Sequence, residues 1–232
     1  MFMGHYAPAV WDTKRGHAVP LIPLWLGFLA VQFIDIIFAS LAIFGVEGAG
    51  TMIGGVPIFD IPYSHSLLSA LILSIIGAAI FMAIVKPRSR KAFFVFALLI
   101  FSHWILDLVV HRPDLPLYPG GELMLGFGVW NYPLAAFVLE MGLLLLAFVF
   151  WMHVTVPISR IFSIAPWILF TLMGALQYFA IVMPGLQVQN GTFDMAAAPQ
   201  GVFLGISALL VFAFIAGAVA AIERGRPSKF KR

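Results

Sequence analysis

The chain has 232 residues, 62% of them hydrophobic and 10% charged, with a formal net charge of +3 and no cysteine. Soluble domains run at roughly 45–50% apolar and about 25% charged, so a water-soluble fold of this size has too little interior for this composition. Disordered, coiled-coil and collagen-like classes fall for the same reason. The missing thiols exclude disulfide frameworks, thiolate zinc sites and cysteine nucleophiles.

Residues 1–19 are too polar and too broken to cross a membrane, and are expected to form an interfacial or re-entrant segment around Lys14-Arg15. The first apolar run starts late and contains Gln32 and Asp35, which argues against a cleaved signal peptide. Six apolar stretches follow, at 20–44, 66–85, 92–110, 131–152, 161–184 and 201–222. Each approaches or exceeds the about 20 helical residues that a hydrocarbon core requires. Helices are expected because each span must satisfy its own backbone in lipid. The fold class is therefore an all-α polytopic helical bundle of about six transmembrane helices. It forms a single integral membrane domain over 1–232, with a bundle at 20–222, a basic tail at 223–232 and no internal repeat.

Orientation follows from Lys and Arg. With both termini cytoplasmic, twelve of the thirteen basic residues fall inside, and only Arg112 falls outside. The basic tail then reads as a topology anchor near anionic lipid, not as a nucleic-acid binder. The expected location is the inner (plasma) membrane of a bacterium. Trp11, Trp130, Trp151 and Trp167 fall near the expected interfaces, as an aromatic belt would.

Three carboxylates stand inside the apolar spans: Asp35, Asp107 and Glu140. Each charge in lipid costs roughly 2.5–3.5 kcal/mol on insertion scales, so such groups face the bundle interior and have partners. At about 1.5 Å per residue their depths converge in the outer half of the bilayer. His103, Asp107 and His111 recur every four residues and share one helix face. His65 stands at the mouth of the second span. Neutral imidazole with carboxylate suits a divalent metal, zinc first, and without cysteine such a site reads as catalytic before structural. Against this, His103 and Asp107 could simply neutralise one another. Glu140 could be a structural partner of Arg112, and Asp60 and Asp114 flank prolines where turn formation is the default.

Taken in order, Gly4-His5, Ile34-Asp35, Ser64-His65-Ser66, Ser102-His103-Trp-Ile-Leu-Asp107 and Pro116-Leu117 resemble a family of integral inner-membrane proteins described as metal-dependent hydrolases. They are also distantly similar to zinc-dependent phospholipases C. The resemblance covers roughly residues 4–120 and implies metal ligands at His5, Asp35, His65, His103 and Asp107. Where the family carries a His five residues before the Ser-His-Ser histidine, this chain has Asp60, which can also ligate metal. It also lacks the family's paired Asp-x-Asp, keeping Asp35 alone.

The expected function is a membrane-embedded hydrolase of a lipid or other phosphoester. His111 or Glu140 would be its general acid or base, and Arg112 its phosphate clamp. Two other classes stay open: an ion or proton pathway, and a non-enzymatic accessory subunit docking partner subunits through its fifth and sixth spans. Those two spans lack charge, and Gln177 is their most polar inward candidate.

Overall fold

The computed structural model describes residues 1–12, 21–53, 55–86 and 89–229. Lys14, Arg15, Arg88, Lys231 and Arg232, and with them residues 13–19 of the expected interfacial segment, lie outside the described residues.

The structure is mostly helical. A 3-10 turn at Met3–Tyr6 leads into α1 (Ala7–Asp12), and α2 (Leu24–Val31) and α3 (Phe33–Ile43) follow. Next come a short helix α4 (Pro62–His65), then α5 (Leu67–Val85), α6 (Lys91–Val110), α7 (Pro133–Val154), α8 (Arg160–Gln177), α9 (Met183–Gln189) and α10 (Gly201–Arg224). Two small antiparallel hairpins add to the expected all-α bundle: β1 (Gly48–Ile53) with β2 (Val56–Asp60), and β3 (Leu115–Pro116) with β4 (Met124–Leu125).

Among the described residues, five helical stretches are long and apolar enough to cross a membrane: α5, α6, α7, Arg160–Gln189 and α10. The chain thus reads as an integral membrane protein. The faces turned away from the bundle are apolar, with Ile72, Ile75 and Ile84 of α5 and Phe203, Leu210 and Phe214 of α10 exposed. In water such faces would be a liability, whereas lipid is their natural solvent.

Two spans are irregular for identifiable reasons. The apolar run 20–44 is not the single helix that its length predicts, because α2 and α3 meet at Gln32 with a 52° bend. No Gly or Pro stands there. The Val31 carbonyl, which an unbroken helix would give to residue 35, instead accepts a 2.7 Å hydrogen bond from His103 Nδ1. A side chain has entered the helical ladder, and the helix breaks at that carbonyl. In the fifth span a π-helical turn at Tyr178–Val182 joins α8 to α9. Pro184 lacks the N–H that a regular helix would use, and the wider turn precedes it.

α5 packs along α6, and α10 lies against α2 and α3. The end at which α5, α7 and α10 finish and α6 begins carries Lys86, Lys91, Arg160 and Arg224. There Arg226 donates to the carbonyls of Phe162 (2.6 Å) and Met152 (3.4 Å) and to Thr155 Oγ1 (3.1 Å). It also sits over the Trp151 ring, and burial pulls its guanidinium below the ordinary value. Two residues expected in the aromatic belt are therefore elsewhere. Trp151 is buried beneath Arg226, and Trp130 is buried at the opposite end. Trp167 is exposed, and the side chain of Trp11 lies outside what is described.

Glu223 accepts from the Leu24 amide through both oxygens (2.9 and 3.1 Å), capping α2 from the last turn of α10. Glu223→Ala leaves that buried amide without this acceptor and is expected to cost about 1–3 kcal/mol. Thermal unfolding in detergent should show a lowered midpoint.

Candidate metal centre

At the end of the bundle opposite the basic residues, the polar groups of the spans meet around Asp107. Its Oδ2 lies 3.1 Å from His103 Nε2 and 3.4 Å from His65 Nε2. Its Oδ1 lies 3.1 Å from His5 Nε2 and 3.6 Å from His111 Nε2, and it also pairs with the Met1 amino group. Asp35, in the first turn of α3, brings Oδ1 to 3.3 Å from His65 Nε2 and 3.4 Å from His103 Nε2. Of the eight residues singled out from sequence, these six converge: His5, Asp35, His65, His103, Asp107 and His111. His5 and His103 are fully buried and Asp107 is 1% exposed, while the Asp35 side chain keeps 16%.

The imidazoles are oriented from outside the cluster. His103 Nδ1 faces a carbonyl, that of Val31, and so must carry the proton. His111 Nδ1 donates to Asp114 Oδ1 at 2.8 Å. His65 Nδ1 donates to Ser64 Oγ at 2.6 Å, because the Ser64 hydroxyl itself donates to Glu47 Oε2. In the neutral ring each of these three histidines therefore turns an unprotonated Nε2 toward the carboxylates. A partner that fixes the Nδ1 proton is the usual outer support of a metal-ligating His. His103 Nε2 and Asp107 Oδ2 are buried without a hydrogen-bond partner among the described residues, although they lie 3.1 Å apart. Two lone pairs at that distance repel unless a proton or a cation lies between them. Two overlapping groups, His5/His103/Asp107 and Asp35/His65/His103, have ligand atoms close enough to hold a metal ion.

Local structure explains the placement. The residues of Ser64-His65-Ser66 divide the work: Ser64 links His65 to Glu47, and Ser66 caps α5 by accepting from the Ser69 amide. The carbonyl of His65 accepts from Trp104 Nε1 (2.8 Å), which ties α4 to α6. Beyond α6, the Gly128 amide donates to the His111 carbonyl and the Phe127 amide to that of Leu108. Gly126 lets this loop cross. Its φ is +147°, and a Cβ there would overlap the carbonyl oxygens of His111 and Arg112.

The remaining two candidates lie beside the cluster. Arg112 is buried, donating from Nε to Asn131 Oδ1 (2.9 Å) and from Nη2 to the Trp130 carbonyl (3.5 Å). The Trp130 ring in turn packs on His111, with centroids 4.3 Å apart. Burial lowers the Arg112 pKa and nearby Asp114 opposes that shift. Glu140, a candidate acid, base or Arg112 partner, belongs to neither metal-competent group. Its carboxylate accepts from the amides of Phe2 (2.7 Å) and Gly4 (3.2 Å) and from Trp130 Nε1 (3.4 Å).

Two readings change, and one residue is new. Asp60, offered as a substitute ligand, is exposed at the end of β2, because pairing with Gly48 holds it in the hairpin. Asp114, read as a turn former, is buried and holds both His111 and the Phe59 amide (3.2 Å). Its spacing, three residues after His111, was the available signal. Glu47 carried no such signal, since it stands in a connection and reaches the site only through Ser64.

No known protein family, curated protein or solved structure matches the chain. The resemblance to membrane hydrolases therefore rests on the residues themselves.

Asp114→Ala removes the acceptor of the buried His111 ring and of the Phe59 amide. It is expected to destabilise the protein by roughly 1–3 kcal/mol, read as a lower unfolding midpoint in detergent.

Proposed function

We propose that this chain is a metal-dependent hydrolase of the membrane, with zinc held by Asp35, His65, His103 and Asp107. One observation carries the reading. The four carboxylate-to-imidazole distances among these residues are 3.3, 3.4, 3.4 and 3.1 Å. A tetrahedral ion with bonds of about 2.0–2.1 Å has six ligand–ligand edges of about 3.3–3.4 Å. These four edges are compatible with that, with Asp35, His65 and His103 forming the group close enough to hold an ion and Asp107 Oδ2 beside it. Imidazole and carboxylate together, without thiolate, suit zinc, iron or manganese, and zinc is the ion we propose. Asp107 Oδ1, turned to His5 Nε2, would offer donors to a second ion beside the first.

When bound, a divalent ion supplies Lewis acidity toward a phosphoryl or acyl oxygen and makes water a stronger acid. The chain's own residues do the rest. His111, backed by Asp114, is the group placed to accept or return a proton at Nε2. Arg112 is held in place through Nε by Asn131 and through Nη2 by the Trp130 carbonyl, leaving Nη1 to bind a phosphate, and the Trp130 ring walls that side. With the basic residues at the far end of the bundle, the positive-inside rule supports a centre in the outer half of the membrane, and the membrane we propose is the bacterial plasma membrane. A site at headgroup depth suits a lipid phosphodiester or phosphomonoester.

The test is elemental analysis of purified protein. Zinc should be present in the wild type and fall to background in His103→Ala and Asp107→Ala, and unchanged metal in those variants would sink the assignment. Arg112→Ala should keep its zinc and lose most hydrolysis of phospholipid in vesicles. Full hydrolysis by that variant would remove the phosphate clamp.

A further inference from the structure

Glu140 is a carboxylate buried in a membrane span, and its hydrogen bonds go mainly to backbone. Oε2 takes the amides of Phe2 and Gly4, and Gln177 Oε1 takes the Met3 amide between them at 3.0 Å. Gln32 Nε2, from the break between α2 and α3, donates to the Phe2 carbonyl at 3.4 Å. Three consecutive N–H groups opening a 3-10 turn have no partner within that turn, and in an apolar bundle each would otherwise be costly. Successive amides turned to one side form an anion-binding concavity, and α7 and α8 supply its acceptors.

The fit is close. A Cβ on Gly4 would lie 3.3 Å from Glu140 Cβ and would overlap the Met1 sulfur. One residue further on, the His5 ring stacks on His103 with centroids 3.6 Å apart and planes 9° from parallel, and its Nε2 reaches Asp107. Tyr6 then packs on Phe28 at 4.7 Å. The segment Phe2–Tyr6 is thus seated at one point by acceptors and delivers a metal donor at the next.

We infer that Glu140 is the receptor for the inserted segment Phe2–Tyr6 and, through it, the positioning residue for His5 at the metal centre. Glu140 then acts on the segment's backbone, not on substrate. The docking stands on the contacts alone, while the metal consequence rests on the hydrolase reading above.

The absence of cysteine makes the test clean. Met3→Cys places a single thiol on a fully buried side chain of the segment. In the Glu140→Leu background its labelling by a maleimide in detergent should accelerate at least about tenfold, as local opening requires. A single thiol introduced by Ala78→Cys, buried within α5, should stay protected in the same background. Protection of the segment's thiol in both backgrounds, or labelling of both thiols in Glu140→Leu, overturns the receptor role. Zinc affinity gives the second arm. Glu140→Leu should weaken it by about 10–100-fold, as loss of an outer-shell support does, and should have no further effect once His5→Ala is present. Equal weakening with and without His5 overturns the positioning role. A wild type that binds no zinc defeats the hydrolase reading, and the thiol arm still decides the docking.

Discussion

Asp107 is buried among four imidazoles, and the surrounding fold can be read as the means of keeping that arrangement tolerable. A carboxylate in a membrane interior needs donors or a cation, yet three of the four rings have their Nδ1 protons drawn outward. Val31, Ser64 and Asp114 take those protons. This leaves His103 Nε2 and Asp107 Oδ2, 3.1 Å apart, without a hydrogen-bond partner among the described residues. A simple neutralised pair would place a proton on the line between them. The Nδ1 proton of His103 goes to Val31, so that line holds either a second proton, which makes His103 an imidazolium paired with Asp107, or a cation shared by both.

The same requirement shapes backbone that would otherwise be regular. The break at Gln32 frees the Val31 carbonyl for His103 and puts Asp35 in the first turn of a new helix, where it faces His65 and His103. The segment ahead of α1 enters the bundle because Glu140 and Gln177 meet its amides. Irregular backbone at membrane depth survives only where protein satisfies it, and in both places a side chain from a distant span does so. The local departures from helical geometry and the assembly of the site are one event.

Much of this was written in the sequence, and the remainder was hidden for definite reasons. The positions of the spans follow from apolar length, and the shared face of His103, Asp107 and His111 follows from helical period. Asp35 and His65 stood out as polar groups where none belongs. The bend in the first span left no local trace, since residues 29–35 contain neither Gly nor Pro and its cause lies 72 positions away in His103. Glu47 acts through contacts that its own neighbourhood does not announce, while Asp114 was marked only by its spacing from His111. Glu140 was visible as an intramembrane acid, but its partners are backbone amides, and a backbone donor cannot be read from side-chain identity. Trp151 fitted a belt by position until Arg226 folded over it.

The distribution of polarity within the bundle also bears on what the centre can do. An ion or proton route would need polar groups through both halves of the membrane. Among the described residues, the half toward the basic end is packed with rings. Phe81 and Phe96 stack at 4.9 Å, and Phe148 meets Trp151 and Phe170 at 5.8 Å. Phe96, Phe148 and Trp151 are fully buried. The cluster retains its partial exposure at Asp35 and is flanked by the buried Arg112 and the loop over α6. A centre closed on one side by aromatic packing and bordered on the other by a guanidinium offers no polar route through the basic half of the bundle among the described residues. That asymmetry fits the proposed hydrolase better than it fits a conduit.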